Sequence, residues 1–169
     1  KPDFDPGKMT LVTPAAAVAV CNAISSVCNQ NAAIKWVNDI YIDNLKVCGI
    51  LTEGVTDYET GTISSIVIGI GINTDVNNFP EELSTIAGAV TGDYAKSELA
   101  ASVITETLEL IEAIEDKNLI NKYKKKSLVL GKNVQVFKGA YKKSPEEDLP
   151  SRSAKVLDID ENGGLVVIY

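Results

Sequence analysis

The chain has 169 residues, 45% of them hydrophobic, with 16 Lys and Arg against 23 Asp and Glu. That length allows one or two globular domains with a core that buries roughly 70% of the unfolded surface. A net charge of −7 argues against nucleic acid as the main partner, and the absence of His removes the usual general base and the Ser-His and Cys-His nucleophile systems.

Cys21, Cys28 and Cys48 are an odd set in apolar segments. They read as buried free thiols of a reducing cytoplasmic protein. With no Cys-x-x-Cys pair and no His, neither a structural zinc site nor any side-chain metal ligand is expected. The sequence shows no signal-peptide pattern and no uninterrupted apolar run of 18 residues, so no membrane contact is expected.

In chain order, "KPDFDPGKMT" reads as an entry loop. "PAAAVAVCNAISSVCN", from Pro14 to Asn29, reads as a helix with proline in its first turn and Ala17, Val20, Cys21, Ile24, Val27 and Cys28 on one buried face. "AAIKW" and "NDIYI" are short strands, and "DN" at 43–44 is a hairpin turn. "KVCGILTEGV" and "TISSIVIGIGIN" are strands joined by "TDYETG", and the apolar run "SIVIGIG" predicts a central strand. A single long helix is expected from about Tyr94 to Lys126, with Leu99, Val103, Ile104, Leu108, Ile111 and Ile114 on its apolar face. Lys122, Lys124, Lys125 and Lys126 sit at its C-terminus, where they oppose the negative end of the helix dipole. After "LGKNVQV" the pattern changes to short strands with a "DENGG" turn, and "KKSPEEDLPSRS" reads as a charged loop. The change of period sets a boundary between a body over 1–127 and a small β-module over 128–169.

Several residues have the right chemistry for a site that handles anions. Lys46 precedes an apolar strand, where lysines are ordinarily solvated. Its alternative role is to stand between two anions, which repel by about 4 kcal/mol at 4 Å and an effective dielectric of 20; an ammonium between them reverses that sign as charge builds in a transition state. Gly49 reads either as a bulge or as a close approach of a ligand. Asn38 and Asp39 read as turn residues or as partners of a nucleotide or an amine. "GIGIN" lacks the third glycine and the following helix of a dinucleotide loop. Gly69 and Gly71 share one strand face and leave a flat groove there, and Asn73 either ends the strand or reads an adenine edge. Trp36, the only tryptophan, is expected in the core.

The order of these pieces, "KWVNDIYIDNLKVCGILTE" and then "IVIGIGIN", closely resembles the biotin protein ligase family, whose members carry Lys-Trp-Pro-Asn-Asp, a Lys before an apolar-Gly-Ile-Leu strand, and Gly-x-Gly-Ile-Asn. The resemblance implies an α+β fold: a mixed β-sheet packed on helices, of the class II synthetase-like biotin/lipoate ligase type, followed by an SH3-like barrel. It implies a two-step reaction in which biotin and Mg-ATP form biotinyl-5'-AMP, and a lysine of a biotin carboxyl carrier protein then takes the biotin.

By motif, Lys46 bridges the biotin carboxylate and the α-phosphate, and Gly49, Gly69 and Gly71 lie against biotin. Asn73 meets adenine, and Asn38 and Asp39 stand near the nucleotide and the incoming amine. Lys46 and Asp39 are the catalytic candidates. ATP, Mg2+ and biotin are the expected small molecules, and a homodimer through the central sheet is a family habit.

Two departures stand out. The family proline is Val37, which loosens the backbone restraint at that point. The Gly-Arg-Gly-Arg-x-Gly loop has no counterpart, Arg152 being the sole arginine. The resemblance therefore implies a fragment, lacking an N-terminal part of the catalytic fold and with its barrel cut short at Tyr169, that is not competent alone. The alternatives are a lipoate ligase relative, a biotin-operon repressor in the intact protein, and a binding domain without chemistry.

Overall fold

The computed structural model describes residues 4–75, 79–137 and 151–169. Its first surprise is at the start. Residues Pro6–Leu11 form a 3-10 helix rather than a loop, with the Asp5 carboxylate accepting from the Gly7 N–H, and this turn runs directly into α1, Val12–Cys28. α1 is buried on nearly every side, from Val12 through Ile24. Its string of alanines explains how. Small side chains let a sheet approach one side and two helices the other, and a helix apolar all round belongs in a core. By length and composition Pro6–Cys28 could cross a membrane, yet it is the central layer of this fold.

Against one side of α1 lies a four-stranded sheet in the order β1 (Ala33–Lys35), β2 (Asp39–Ile42), β3 (Leu45–Thr56), β4 (Ile63–Ile72). Every named pair is antiparallel. The expected mixed sheet is thus antiparallel along its strands, with parallel pairing confined to the single bridges Ile34–Ser127 and Lys46–Ala87. Asp43 and Asn44 both adopt positive φ, 49° and 66°, as the tight β2–β3 turn requires. Among the described strands β4 is an outer strand, not a central one. Its apolar run divides by alternation: Ile66, Ile68, Ile70 and Ile72 pack toward the core, while Val67, Gly69 and Gly71 face away.

The long helix expected after Tyr94 is two. α2, Lys96–Glu112, and α3, Asn118–Lys125, both pack on α1. The break falls where the Asp116 carboxylate accepts from the Asn118 N–H and starts a new helix. Leu99, Val103, Thr107 and Leu110 are buried, but Ile104 and Leu108 are exposed, although helical spacing alone assigns them to the core.

The C-terminal strands β5 (Asn133–Phe137), β6 (Ser151–Ile159) and β7 (Leu165–Ile168) make a three-stranded antiparallel sheet, and no closed barrel is formed by them. Most of the charged loop expected over 142–153 lies outside the described residues. Ile159 joins the main core, and Lys124 pairs with Asp158 at 2.6 Å, so this sheet is seated on the helical layer.

The thiols report on that core. Burial pushes Cys21 and Cys48 from 9.0 up to about 12. At pH 8 both stay protonated, and iodoacetamide is expected to reach only Cys28 in the folded chain but all three thiols in guanidinium. Labelling of all three under native conditions would show that the α1–sheet interface opens. Unfolded thiols lose their protons near pH 9, whereas the two folded ones hold theirs to about 12. The folded state therefore binds more protons in that window. Stability should be complete below pH 9 and fall as pH climbs toward 12, read as the denaturation midpoint.

Candidate active site on the open sheet face

Lys46 and Gly49 are three residues apart on one strand, a spacing that ordinarily puts them on opposite faces. The pairing of β2 with β3 shows why they share one here. Ile40 pairs with Cys48 and Tyr41 with Lys46, so Val47 is an extra residue in β3. The resulting bulge buries both Val47 and Cys48 and turns Lys46 back to the open face. Nothing in the sequence marks Val47 for this role.

Lys46 Nζ lies 2.6 Å from Asp39 Oδ1. With side chains 42% and 25% exposed, the pair contributes little stability, about 0–1 kcal/mol, so its interest is positional. Asp39 is directly opposite Gly49, and Gly49 opposite Gly71, which makes one row across three strands; Gly69, opposite Leu51, extends the floor along β4. A Cβ on Gly49 would stand 3.6 Å from Lys46 Nζ, one on Gly71 3.9 Å from the Gly49 carbonyl, and one on Gly69 3.7 Å from the Leu51 carbonyl. These are ordinary contacts, and none of the three glycines has positive φ. Neither crowding nor backbone conformation requires glycine at these positions.

Asn73 serves the site from behind. Its amide nitrogen donates to the Gly88 carbonyl at 2.9 Å and to the Lys46 carbonyl at 3.4 Å. The Lys46 N–H donates to the Ile86 carbonyl, and the Gly88 N–H to the Lys46 carbonyl, so the segment 86–88 holds the main chain of Lys46 on both sides. Gly88 has no room for a side chain, since a Cβ would meet Leu45 Cβ at 2.8 Å. Sequence reasoning passes over this residue, although a glycine between alanines in "IAGAV" is a visible signal.

The loop before Asp39 is equally fixed. Asn38 donates its amide to the Ile50 carbonyl at 2.7 Å, and the Ile50 N–H returns a bond to the Asn38 carbonyl at 3.0 Å. Trp36 is not in the core. It is 40% exposed, and its indole N–H donates to the Gly163 carbonyl at 2.9 Å, because the "DENGG" turn of the C-terminal sheet comes within its reach. The Trp36–Val37 peptide bond is cis.

Asn38, Asp39, Lys46, Gly49, Gly69, Gly71 and Asn73 thus belong to adjoining positions of one sheet, with Asn73 anchored beneath rather than presented above. The site is an open face. A cleft of about 630 Å3 lined by Asn22, Asn31, Lys122, Lys125, Lys126 and Ser127 lies apart from it. Among the described residues no group of three or more Asp, Glu or Cys side chains could hold a metal ion.

The family model for biotin/lipoate A/B protein ligases matches residues 1–73, the span that carries β1 to β4 and the glycine floor. The chain is 38% identical over 114 residues to the bifunctional ligase/repressor BirA of Bacillus subtilis, covering 66% of this chain and 34% of that protein. With BirA of Escherichia coli it shares 34% identity over 91 residues, 51% of this chain and 27% of that one. It thus spans about a third of the length of the curated relatives it matches.

In solved structures, the fold matches a mutant biotin protein ligase from Aquifex aeolicus in complex with biotin, with TM-score 0.76, 23% identity, and 99% of this chain and 66% of that one covered. It also matches that species' ligase in complex with biotin and ATP, at TM-score 0.73 and 23% identity over 94% of this chain and 64% of the other. The fold is that of the biotin/lipoate ligases, and the family model covers the motif-bearing sheet. Within that class, the chain resembles part of a biotin protein ligase.

Proposed function

We propose that the whole protein is an ATP-dependent biotin protein ligase, with the open face of β3 and β4 as its adenylation floor. The observation that carries this reading is the Lys46 ammonium fixed beside Gly49, on a floor of three glycines that neither crowding nor backbone conformation requires. Biotin lies over Gly49, Gly69 and Gly71, and its carboxylate oxygen attacks the α-phosphorus of ATP. The bond to the departing pyrophosphate breaks, and biotinyl-5'-AMP is left. Lys46 reduces the repulsion between the two anions and stabilises the charge that gathers on the phosphoryl oxygens.

A lysine amine of a biotin carboxyl carrier protein, such as an acetyl-CoA carboxylase subunit, then attacks the acyl carbon; AMP leaves and an amide forms. Asn38 and Asp39 stand at the rim where nucleotide and amine meet, and Asn73, whose amide is spent on the Gly88 and Lys46 carbonyls, serves by holding the Lys46 main chain. Mg2+ would enter as the complex with the triphosphate. In this reading residues 1–127 belong to the catalytic body and 128–169 to an SH3-like module.

Lipoate is the neighbouring choice, since the family model spans both acids. Incubating the whole protein with Mg-ATP and either acid decides between them by mass spectrometry of the products. Biotinyl-5'-AMP is expected; accumulation of lipoyl-5'-AMP alone would move the protein to the other branch.

A further inference from the structure

Trp36, Val37 and Asn38 form a three-residue hairpin loop between Lys35 and Asp39, which pair across it. Each residue is tied to a different element. Trp36 donates to the Gly163 carbonyl in the β6–β7 turn. Asn38 exchanges two hydrogen bonds with Ile50 of β3. The Val37 carbonyl accepts from the hydroxyl of Tyr123 on α3, at 3.0 Å and 86 residues away in sequence. Tyr123 is fully buried, among the largest such side chains in the protein. Its hydroxyl could have been omitted by a phenylalanine of the same shape, yet it reaches through the core to this one carbonyl. Val37 has no ring to fix its φ, so the loop relies on these bonds.

We infer that Tyr123 is a positioning residue: its hydroxyl fixes the Trp36–Asn38 loop so that Asp39, the next residue, holds Lys46 over the glycine floor. This rests on the adenylation reading of that floor. The connection is short. A turned Val37 carbonyl would move the start of β2, and the Asp39 carboxylate would carry the Lys46 ammonium away from Gly49. Displacement on the order of 1 Å in a reacting constellation costs up to about a hundredfold in rate. For a loop still held at Trp36 and Asn38 a loss of roughly tenfold is expected.

The test uses the whole protein and biotin-dependent ATP–pyrophosphate exchange. Tyr123→Phe should lower kcat about tenfold while the KM for biotin changes less than twofold. Leu110→Ala, a core change remote from the loop, should lower the melting temperature more and leave kcat alone. Trp36→Phe removes the tether to Gly163 at an exposed position, where failure to fold is no concern, and should lower kcat in the same direction. In single-turnover biotinyl-adenylate accumulation followed over hours, adding Tyr123→Phe to Asp39→Ala should slow the reaction no further, because no side chain at position 39 is left to steer the ammonium. An unchanged kcat in Tyr123→Phe, additive effects, or equal losses in Leu110→Ala would overturn the inference. A wild-type protein without biotin-dependent exchange would instead overturn the proposed function, so the two failures are distinguishable.

Discussion

Replacing Lys46 with alanine is expected to reduce biotin-dependent ATP–pyrophosphate exchange by on the order of a thousandfold, the upper range for removal of one preorganised group that stabilises transition-state charge. Folding should be indifferent to the change. The ammonium is 42% exposed and paired only with a partly solvated carboxylate, so its loss should move stability within about ±0.5 kcal/mol. The opposite pattern, normal exchange with a lowered melting temperature, would make the Lys46–Asp39 pair a structural strut and leave the floor without its reagent. Asp39→Asn separates the two carboxylate duties. If Asp39 only steers Lys46, the variant should retain measurable adenylation while losing rate, because the amide can still accept a hydrogen bond from the ammonium.

The second large effect concerns Gly71. A Cβ there meets nothing closer than 3.9 Å in the free protein, and the residue sits in an outer strand without positive φ. Gly71→Val should therefore leave the fold intact or stabilise it, because glycine in a strand interior costs roughly 0.5–1 kcal/mol relative to alanine and β-branched residues suit strands. Biotin binding should suffer heavily. A side chain rising into the layer where the ligand lies imposes overpacking of about 1–3 kcal/mol, up to roughly a hundredfold in affinity. Thermal melting and calorimetric biotin titration of the same variant check both halves. A gain in stability with unchanged affinity would mean that the bare floor accommodates no ligand.

Much of the sheet is legible in the sequence because its strands carry strong local signals. The positive-φ turn at Asp43 and Asn44, the apolar Gly-Ile-Leu run within β3 and the Gly-x-Gly alternation each announce themselves over a few residues. What escapes depends on contacts distant in sequence. The bulge at Val47 is a property of how β3 pairs with β2, and without it Lys46 and Gly49 would face opposite ways. Trp36 looks like a core residue because an indole is mostly apolar, but its N–H finds a carbonyl 127 residues away.

Ile104 and Leu108 fit helical spacing as well as Leu99 does; only the placement of α1 determines which stripe of α2 is buried. The apolar run of β4 suggests a central strand, yet hydropathy does not say how many neighbours a strand has. Asn73 shows the same division at a single residue. Its type suggests a ligand contact, whereas its geometry ties the ends of two strands together and holds the backbone of Lys46.

The most direct measurement is a crystal structure of the whole protein with a non-hydrolysable biotinyl-adenylate analogue. The account predicts the ligand's ring system over Gly49, Gly69 and Gly71, with Lys46 Nζ within about 3 Å of oxygens on both the acyl and the phosphoryl side of the junction. A ligand bound elsewhere, for instance in the lysine-lined cleft beside Asn22 and Asn31, with Lys46 still closed on Asp39 and the floor bare, would contradict it.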